Sequence, residues 1–479
     1  MTKTFLWHDY ESTGANPRVD RAVEFAAIRT DEDFNEVGSP IELICAPSVD
    51  VLPNPFAVKI TGITPQHCEQ NGVNEYDFFR AIHTEMSTPG TCSVGYNNLV
   101  FDDEITRFGF YRSFLDPYGR EYLNGNSKWD VIDLARTAYA LRPTGIEWPD
   151  NDGKVTFKLT ALTEANGIAH DGAHGALSDV RATIDLARRI KQAQPKLVAH
   201  HLGLRDKRAV QHQLGTIGKM SVLVTRHVSK NQKHATVITP IAINPMNRNE
   251  VIYFDLTKDP ENVITMDDDA LAEAVFKNGR SGEGLYVLAI NKCPSVSPVS
   301  VLQGVPDGWL NFDIDAITES RDHLVAHADT LVAKVARVYR HETEYEPLDA
   351  DSALYERFMD NDDHLICADV HSKTAAEKAV WVPPFRDQRL QTIYPRFIAR
   401  NWPEYLSEDH RAAWEQHVVS VLNGEVAGRL GLEQFEAQCA AALADATRAQ
   451  AEAIHSLREW VLEHTAPHLH NHAPLALAG

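Results

Sequence analysis

The stretch LWHDYESTG, residues 6–14, places two acidic side chains one residue apart where a short apolar run becomes polar. Side chains alternate along a β-strand, so Asp9 and Glu11 share one face, with α-carbons about 6.5–7 Å apart. Two carboxylates on one face repel each other unless a cation lies between them or one takes up a proton. The spacing suits a divalent-metal site, but Asp-x-Glu also occurs by chance at a solvated strand end, so the rest of the chain has to decide.

The composition is that of a globular protein. The chain has 479 residues, 43% of them hydrophobic, which is enough for two to four domains. The sequence has no apolar run of membrane-spanning length and no signal peptide, so we predict a cytoplasmic protein without a membrane partner. Six scattered cysteines without a Cys-x-x-Cys pair favour reduced thiols. The net charge of −21 does not exclude a polyanionic partner, because a local basic patch can still bind phosphates.

Residues 1–195 have the pattern of an α/β domain. Three strand-like segments separated by turns predict that its sheet begins as an antiparallel meander: KTFLWHDYE (3–11), VEFAAIRTDEDFNEVG (23–38) and SPIELICAP (39–47). Thr64 followed by Pro65 predicts a helix start. Beyond it we predict a buried strand in TCSVGYNN (91–98) and helices in LVFDDEITRFGFYRSFL (99–115), KWDVIDLARTAYAL (128–141) and ALSDVRATIDLARRIKQA (176–193).

Two further regions follow. Residues 196–345 contain four strand-like segments, KMSVLVTRHVS (219–229), HATVITPIAIN (234–244), EVIYFDLT (250–257) and GLYVLAINKCP (284–294), which predict a β-rich barrel or sandwich. The entry to this region, 205–233, is basic. Residues 350–479 are predicted to be helical, and FRDQRLQTIYPRFIARNWP (385–403) gathers four arginines among aromatic residues.

Three more side chains in the first region belong with Asp9 and Glu11. Asp102 lies near the start of a predicted helix, and His174 precedes Asp179 by five residues. In one helix the last two would be about 140° apart and could not converge. Glycines flank His174, so we place it on a loop and Asp179 in the first turns of the following helix.

These residue types suit metal-assisted cleavage of a phosphodiester. Carboxylate oxygens are the ligands that Mg²⁺ prefers, and two ions about 3.5–4 Å apart can bind the attacking and departing oxygens together. Asp9, Glu11 and Asp179 are assigned to the first ion, and Asp9 with Asp102 to the second. His174 can take the proton from the attacking water. Mn²⁺ would suit the same ligands.

The motifs, in their order along the chain, resemble those of the DEDDh 3′→5′ exonuclease superfamily, whose fold is similar to ribonuclease H. The flanking segments closely resemble the bacterial exodeoxyribonuclease I family: HDYESTG, FAAIRTD, ITGITPQ, GYNNLVFDDE, YALRPTGIEWP, ANGI and INKCP. The resemblance implies a mixed-sheet nuclease domain (1–195), an SH3-like β-barrel domain (196–345) and an α-helical C-terminal domain (350–479). It also implies processive degradation of single-stranded DNA to mononucleotides with Mg²⁺, in DNA repair and recombination.

The resemblance further implies strand contacts and a protein partner. Positions that look like strand contacts, besides Glu11, are Arg107, Tyr118, Arg136, Arg142, Lys158 and Lys292. Surface salt bridging is an equal alternative for Arg107, Arg136 and Arg142. Lys158 stands where the family tends to have arginine, and a lysine lacks the planar guanidinium that binds a phosphate through two hydrogen bonds. The family also binds the acidic tail of single-strand-binding protein, for which Arg142 is a candidate contact. We expect a monomer.

Several alternatives stay open. Asp103 and Glu104 compete with Asp102, which fits the motif position after Phe better. His8 is expected to pack on the face opposite Asp9, and Asp133 and Asp185 to be solvated or paired. The motifs do not indicate whether the substrate's sugar is deoxyribose or ribose. An RNA-trimming member of the superfamily is therefore the second candidate function. A non-catalytic single-strand-binding adaptor is the third, although every catalytic position is filled.

Overall fold

The structure is a computed structural model that describes residues 3–151, 154–170, 175–277, 281–340 and 348–469. The sheet of the N-terminal region consists of β1 (Thr4–Ser12), β2 (Ala22–Thr30), β3 (Ile41–Ile44), β4 (Thr91–Gly95) and β5 (Ser127–Asp130). The strand order is β3-β2-β1-β4-β5. The first three strands pair antiparallel, as predicted, and β4 and β5 add in parallel. This is the mixed, ribonuclease H-like sheet that the resemblance implied.

The central strand β1 is longer than its parallel neighbour. It pairs with β2 from Phe5 to Ser12 but with β4 only from Thr4 to Trp7. The paired part is apolar and buried, and the Trp7 Nε1–H donates to the Thr30 hydroxyl at 2.8 Å. Beyond Trp7 the chain after β4 turns into a helix, so Asp9 and Glu11 lie where β1 runs past its partner.

The helices of this region surround the sheet. They are α1 (Pro55–Thr61), α2 (Pro65–Asn71), α3 (Glu75–Met86), α4 (Asp102–Arg112), α5 (Val131–Leu141), α6 (Leu159–Ala165) and α7 (Ala176–Ala193), with 3₁₀ turns at Gly119–Glu121 and Leu123–Gly125 and a short antiparallel pair of strands, β6 (Asp150–Asn151) and β7 (Lys154–Val155). Thr64 caps α2 as predicted. The predicted helix 128–141 was wrong at its start, because Lys128–Asp130 belong to β5 and Asp130 caps the helix.

The second region contains a five-stranded antiparallel sheet and more helix than predicted. Its strands are β8 (Ser221–Val224), β9 (Ala235–Ile243), β10 (Glu250–Asp255), β11 (Leu285–Ala289) and β12 (Ser295–Pro298), in the order β11-β10-β9-β8-β12. Its helices are α8 (Pro195–Gly203), α9 (Lys207–Leu214), α10 (Glu261–Thr265), α11 (Asp268–Phe276), α12 (Ile314–Ala326) and α13 (Ala328–Val338), with 3₁₀ turns at Lys230–Gln232 and Val299–Gly304. The four predicted strands are confirmed, whereas β12 and the helices were not predicted.

The third region is helical, as predicted, and packs on the first. Its helices are α14 (Asn361–Ser372), α15 (Ala375–Val380), α16 (Gln388–Asn401), α17 (Glu408–Leu422), α18 (Leu432–Leu443) and α19 (Arg448–Leu469), with 3₁₀ turns at Ala350–Ser352 and Pro403–Tyr405. Phe114, from the end of α4, stacks on Phe385 and meets Phe397 edge-on. Among the described residues, no helix is long and apolar enough to cross a membrane.

Two of the four arginines in the segment 385–403 are buried in ion pairs. Arg389 is bound to Asp387, and Arg400 to Asp50 and Asp351, in the interior. Asp387 is only two residues from Arg389, whereas Asp50 and Asp351 are distant in sequence from Arg400, and this distant pairing cannot be read from local composition. The segment stabilises the fold.

Candidate active site

Three acidic side chains meet at the end of β1. Asp9 and Glu11 project from this strand, and Asp179 lies in the first turn of α7, which packs against β1 and β2. One carboxylate oxygen from each of the three lies within 4.8 Å of the others. As the sequence analysis predicted, Asp179 lies in the first turn of a helix. This arrangement is a candidate metal site.

Asp102 lies at the same end of β1 but belongs to a different element, the helix α4. It is the first residue of α4, it is 4% exposed, and its Oδ1 accepts the backbone N–H of Tyr10 at 3.2 Å. Tyr10 lies between Asp9 and Glu11, so this hydrogen bond ties the start of α4 to the strand that carries the other acids. The structure therefore brings together the four predicted carboxylates.

The acids perturb one another strongly. Burial raises the pKa of Asp9 well above its usual value, and the carboxylates of Asp102 and Glu11 raise it further. Burial, followed by Asp179 and Glu24, raises the pKa of Glu11 to about 8, and burial raises that of Asp102 to about 7. Buried carboxylates in contact with each other favour a bound proton or cation. Their oxygens are the donors preferred by hard divalent cations, so this residue set fits a divalent metal.

Asp102, Asp103 and Glu104 are consecutive acids, and their contacts show which of them reaches β1. Asp103 is fully buried and accepts a hydrogen bond from Arg120 Nη2 at 2.9 Å. Although burial opposes it, this guanidinium holds the pKa of Asp103 below its usual range. Glu104 accepts hydrogen bonds from Arg107 and from the Tyr355 hydroxyl. Asp102 is the member of this acidic run that reaches β1.

Two residues next to the acids were missed by the sequence analysis. Glu24 lies opposite Glu11 in the β1–β2 register, and its carboxylate accepts the backbone N–H of Ala176 at 3.5 Å. His170 Nε2 lies 2.6 Å from Asp179 Oδ1. The signal for Glu24 is its cross-strand register, which the predicted antiparallel meander could have supplied. His170 has no local signal, because its place depends on how the chain turns between α6 and α7.

Other predicted residues have different outcomes. His174 lies outside the described residues, so its place beside the acids stays a prediction. His8 is buried as expected, its Nδ1 is 3.4 Å from the Leu6 carbonyl oxygen, and burial lowers its pKa to about 4. Asp133 and Asp185 each pair with an arginine three residues later, as expected for helix surfaces.

A groove of about 1870 Å³ runs between the three regions. The first region contributes Tyr118 and Arg136, the second contributes Lys292, and the third contributes Tyr355 and Phe358. The Phe358 side chain is 89% exposed, and its ring centroid lies 6.5 Å from that of Tyr118. Basic residues of the second region line the same groove: Arg205, Lys207 and Arg226. The groove thus combines cationic groups with open aromatic faces.

The predicted strand contacts differ in how available they are. Arg107 lines the groove, but its guanidinium is bound to both oxygens of Glu121 and to Glu104. Tyr118 lies beside it, with the Arg107 guanidinium 5.7 Å from its ring centroid. Arg136 pairs with Asp133 at 2.7 Å and reaches the groove. Both arginines therefore form the salt bridges of the alternative interpretation.

Arg142, Lys158 and Lys292 occupy three different places. Arg142 ends α5 and donates to the backbone carbonyl of Val301 at 3.1 Å, so it joins the first region to the second. Lys158 is exposed at the N-terminal cap of α6. Lys292 is exposed and lines the groove. Within the described chain, the groove lining includes Lys292 but neither Arg142 nor Lys158.

The mixed sheet and the acidic cluster at the end of its central strand define an exonuclease of the ribonuclease H-like fold. The chain matches three family models along its length: Exonuclease over residues 6–187, Exonuclease I SH3-like domain over 205–341 and Exonuclease I C-terminal domain over 348–464. Exodeoxyribonuclease I of Haemophilus influenzae is 38% identical over 427 residues, which cover 86% of this chain and 89% of the relative. The chain belongs to the exodeoxyribonuclease I family.

Several solved structures are similar to this chain over nearly its whole length. Exonuclease I from Methylocaldum szegediense is similar with a TM-score of 0.90 and 38% identity, covering 96% of this chain and 99% of that one. Escherichia coli exonuclease I in complex with a dA16 oligonucleotide is similar with a TM-score of 0.89 and 34% identity at the same coverage. An ExoI/SSB-Ct complex is similar with a TM-score of 0.88, 32% identity, and coverage of 97% of this chain and 99% of that one.

Proposed function

We propose that this exonuclease degrades single-stranded DNA processively from its 3′ end and releases 5′-mononucleotides. The observation that carries the proposal is the convergence of Asp9, Glu11, Asp102 and Asp179 at the end of β1. A relative of the same fold holds a DNA oligonucleotide, which supports single-stranded DNA as the substrate. We assign domain bounds of 1–195, 196–345 and 350–479, and a monomer acting in the cytoplasm in DNA repair and recombination.

The acids are proposed to hold two Mg²⁺ ions, for which Mn²⁺ could substitute. Asp9, Glu11 and Asp179 would hold one ion, and Asp9 with Asp102 the other. When bound, the ions activate a water molecule and stabilise charge on the cleaved phosphodiester. The carboxylates are proposed to position the 3′-terminal phosphodiester, with Glu11 also contacting the terminal nucleotide. His174 takes the proton from the attacking water.

The groove is proposed to hold the strand while the site advances along it. The exposed ring of Phe358 and the half-buried ring of Tyr118 beside it offer surfaces for bases to stack on without sequence preference. Arg136 and Lys292, which line the groove, are proposed to neutralise phosphates, and Arg107 is proposed to do so by exchanging one of its carboxylate partners. Because the groove is lined by three regions, a strand within it is held on several sides. Lys158, which lies outside this lining, is proposed as a further strand contact through its single positive charge.

End-labelled strands test the proposed activity. With Mg²⁺, a 5′-labelled single strand should shorten one nucleotide at a time, and a 3′-labelled strand should release labelled mononucleotide at once. Chelation of the metal, or Glu11→Gln, should stop both reactions. Equal turnover of matched RNA strands would favour the RNA-trimming alternative, and strand binding without cleavage would favour the adaptor.

The acidic tail of single-strand-binding protein is a proposed partner. A structure related to this chain is an ExoI/SSB-Ct complex, and Arg142 lies at the junction of the first two regions. An Arg142→Ala variant should bind the tail peptide more weakly than wild type in a fluorescence titration. Arg208→Ala removes an equal charge from an exposed helix position and should leave the affinity unchanged. Equal affinity for wild type and Arg142→Ala would remove Arg142 from the partner site.

A further inference from the structure

His170 contacts Asp179, one of the proposed metal ligands. Its Nε2 lies 2.6 Å from Asp179 Oδ1, and its side chain is 6% exposed against 23% for Asp179. A carboxylate only accepts hydrogen bonds, so Nε2 carries the hydrogen that the pair shares. His170 therefore donates to Asp179 from a nearly buried position.

The imidazole also contacts the helix α6. His170 Nδ1 lies 3.1 Å from the hydroxyl of Thr163, which is fully buried in α6. After α6, Gly167 adopts a left-handed conformation with φ of 63°, and the Ile168 N–H returns to the Thr163 carbonyl at 2.9 Å. This turn reverses the chain so that His170 reaches the first turn of α7. The histidine thus bridges α6 to Asp179.

Asp179 needs such a restraint because of its neighbours. One of its oxygens lies within 4.8 Å of oxygens of Asp9 and Glu11, and its charge raises the pKa of both. Carboxylates at this distance repel each other. A hydrogen bond to one Asp179 oxygen opposes that repulsion and leaves the second oxygen for a cation.

We propose that His170 is a positioning residue that holds Asp179 in the orientation required for metal binding. The inference rests on the proposed function, because it assumes that Asp179 is a metal ligand. Partners that orient a ligating side chain typically contribute 10–100-fold to metal affinity or activity. His170 is distinct from His174, which is assigned to proton transfer and lies four residues later in the chain.

Two substitutions separate positioning from a general effect on folding. In His170→Gln the amide nitrogen can occupy the place of Nε2 and still donate to Asp179. In His170→Asn the shorter amide can replace the contact of Nδ1 with Thr163 but does not reach Asp179. His455→Asn, on the exposed face of α19, is the matched control. The thermal midpoint of each protein reports any loss of folding.

The measurement is calorimetric titration of the DNA-free protein with Mn²⁺, followed by cleavage rates at increasing Mn²⁺. We expect His170→Asn to weaken Mn²⁺ binding by about 10-fold or more, and its cleavage rate to recover largely at saturating metal. His170→Gln and the control should bind Mn²⁺ as wild type does. Equal Mn²⁺ affinity of the folded Asn variant and wild type would overturn the inference alone, as would a loss in the Gln variant equal to that in Asn. A wild-type protein that neither binds Mn²⁺ nor cleaves would overturn the proposed function and the inference with it.

Discussion

At the residue scale, Glu11 has a pKa far from that of a free glutamate. Burial, with Asp179 and Glu24 nearby, raises its pKa from 4.5 to about 8. The folded, metal-free protein therefore binds a proton that the unfolded chain has released between these pH values. For a raised pKa the stabilising contribution is present at low pH and is lost as the pH rises through about 8. A bound cation removes this loss because it compensates the ionised carboxylates.

We predict that the thermal midpoint of metal-free protein falls as the pH rises from about 5 to about 9, and that Glu11→Gln reduces this fall. The neutral amide keeps the shape of the side chain and removes the titration. Thermal unfolding with a chelator at constant ionic strength measures the effect, and added Mg²⁺ should stabilise wild type most at the alkaline end. Glu459→Gln, at an exposed position, is the control. Parallel pH profiles for wild type and Glu11→Gln would contradict the prediction.

Substitution of Asp102 should reduce activity, whereas substitution of the adjacent Asp103 should reduce stability. Asp102→Asn removes a proposed metal ligand whose pKa is already raised to about 7 by burial, so activity should be lost while the fold is kept. Asp103→Asn deprives the buried Arg120 of its charged partner, which should lower the free energy of unfolding by about 3–5 kcal/mol. Urea unfolding and cleavage assays on both variants check the pair. Loss of activity without loss of stability in Asp103→Asn would reverse the assignment.

Three of the proposed catalytic acids could be predicted from sequence because local rules determine their positions. Alternation along β1 places Asp9 with Glu11, and helical geometry places Asp179 after a loop. His170 and Glu24 depend on tertiary features, namely the turn after α6 and the β1–β2 register. The groove arginines were found as candidates, but their carboxylate partners are determined by the tertiary fold.

At the scale of elements, a buried histidine joins the first region to the second. His201, in α8, accepts a hydrogen bond from Trp129 Nε1 of β5 at 2.7 Å through its Nδ1, and its Nε2 lies 2.8 Å from the Ser295 hydroxyl of β12. Burial lowers the pKa of His201 to about 3. The imidazole is therefore neutral, with Nε2–H donating to Ser295, and it connects two sheets through one helix.

We predict that His201→Leu lowers the free energy of unfolding by about 1–3 kcal/mol, because Trp129 Nε1–H would be a buried donor without its acceptor. His201 also makes stability depend on pH in the opposite sense to Glu11. Its lowered pKa means that stability is lost as the pH falls from about 6.5 towards 3. Urea unfolding at neutral and acidic pH measures both effects, with His212→Leu on an exposed helix face as control. An unchanged unfolding curve would contradict the role of His201.

Elements were predicted well where apolar periodicity was strong and poorly where tertiary contacts decide. Helix α7 has the predicted bounds because its buried stripe is long and regular. Residues Ser127–Asp130 form an edge strand because Trp129 is buried in the sheet core, which outweighs the helical pattern after it. Helices α12 and α13 bury leucine and valine side chains against the second region's core. They were not predicted because their apolar stripes are short and lie among charged residues.

At the scale of the whole molecule, a buried network of ion pairs fastens the third region to the first. Asp50, which follows β3, is fully buried and contacts Arg400, Arg429 and His417 of the third region. Arg400 and Arg429 also bind Asp351. Although burial opposes it, Arg400 and its neighbours hold the pKa of Asp50 well below its usual value. The acids and the histidine could be mistaken for a metal site, but the guanidinium groups already neutralise them.

We predict that Asp50→Asn loosens the third region and impairs processive digestion of long strands more than cleavage of very short oligonucleotides. Removing one charge from a buried network leaves arginines without compensation. The length of strand digested per binding event, measured with a competitor trap, tests this. Lys59→Ala breaks the more exposed contact with Asp445 between the same regions and should change little. Equal processivity of wild type and Asp50→Asn would contradict the proposed role of the interface.

The central claim is that four carboxylates at the end of β1 bind the catalytic cations. Anomalous diffraction from crystals soaked in Mn²⁺ tests it most directly, because it locates the ions without reference to activity. We predict two peaks about 3.5–4 Å apart, one between Asp9, Glu11 and Asp179 and one between Asp9 and Asp102. Anomalous peaks elsewhere in the molecule, with none at these carboxylates under saturating Mn²⁺, would contradict the claim.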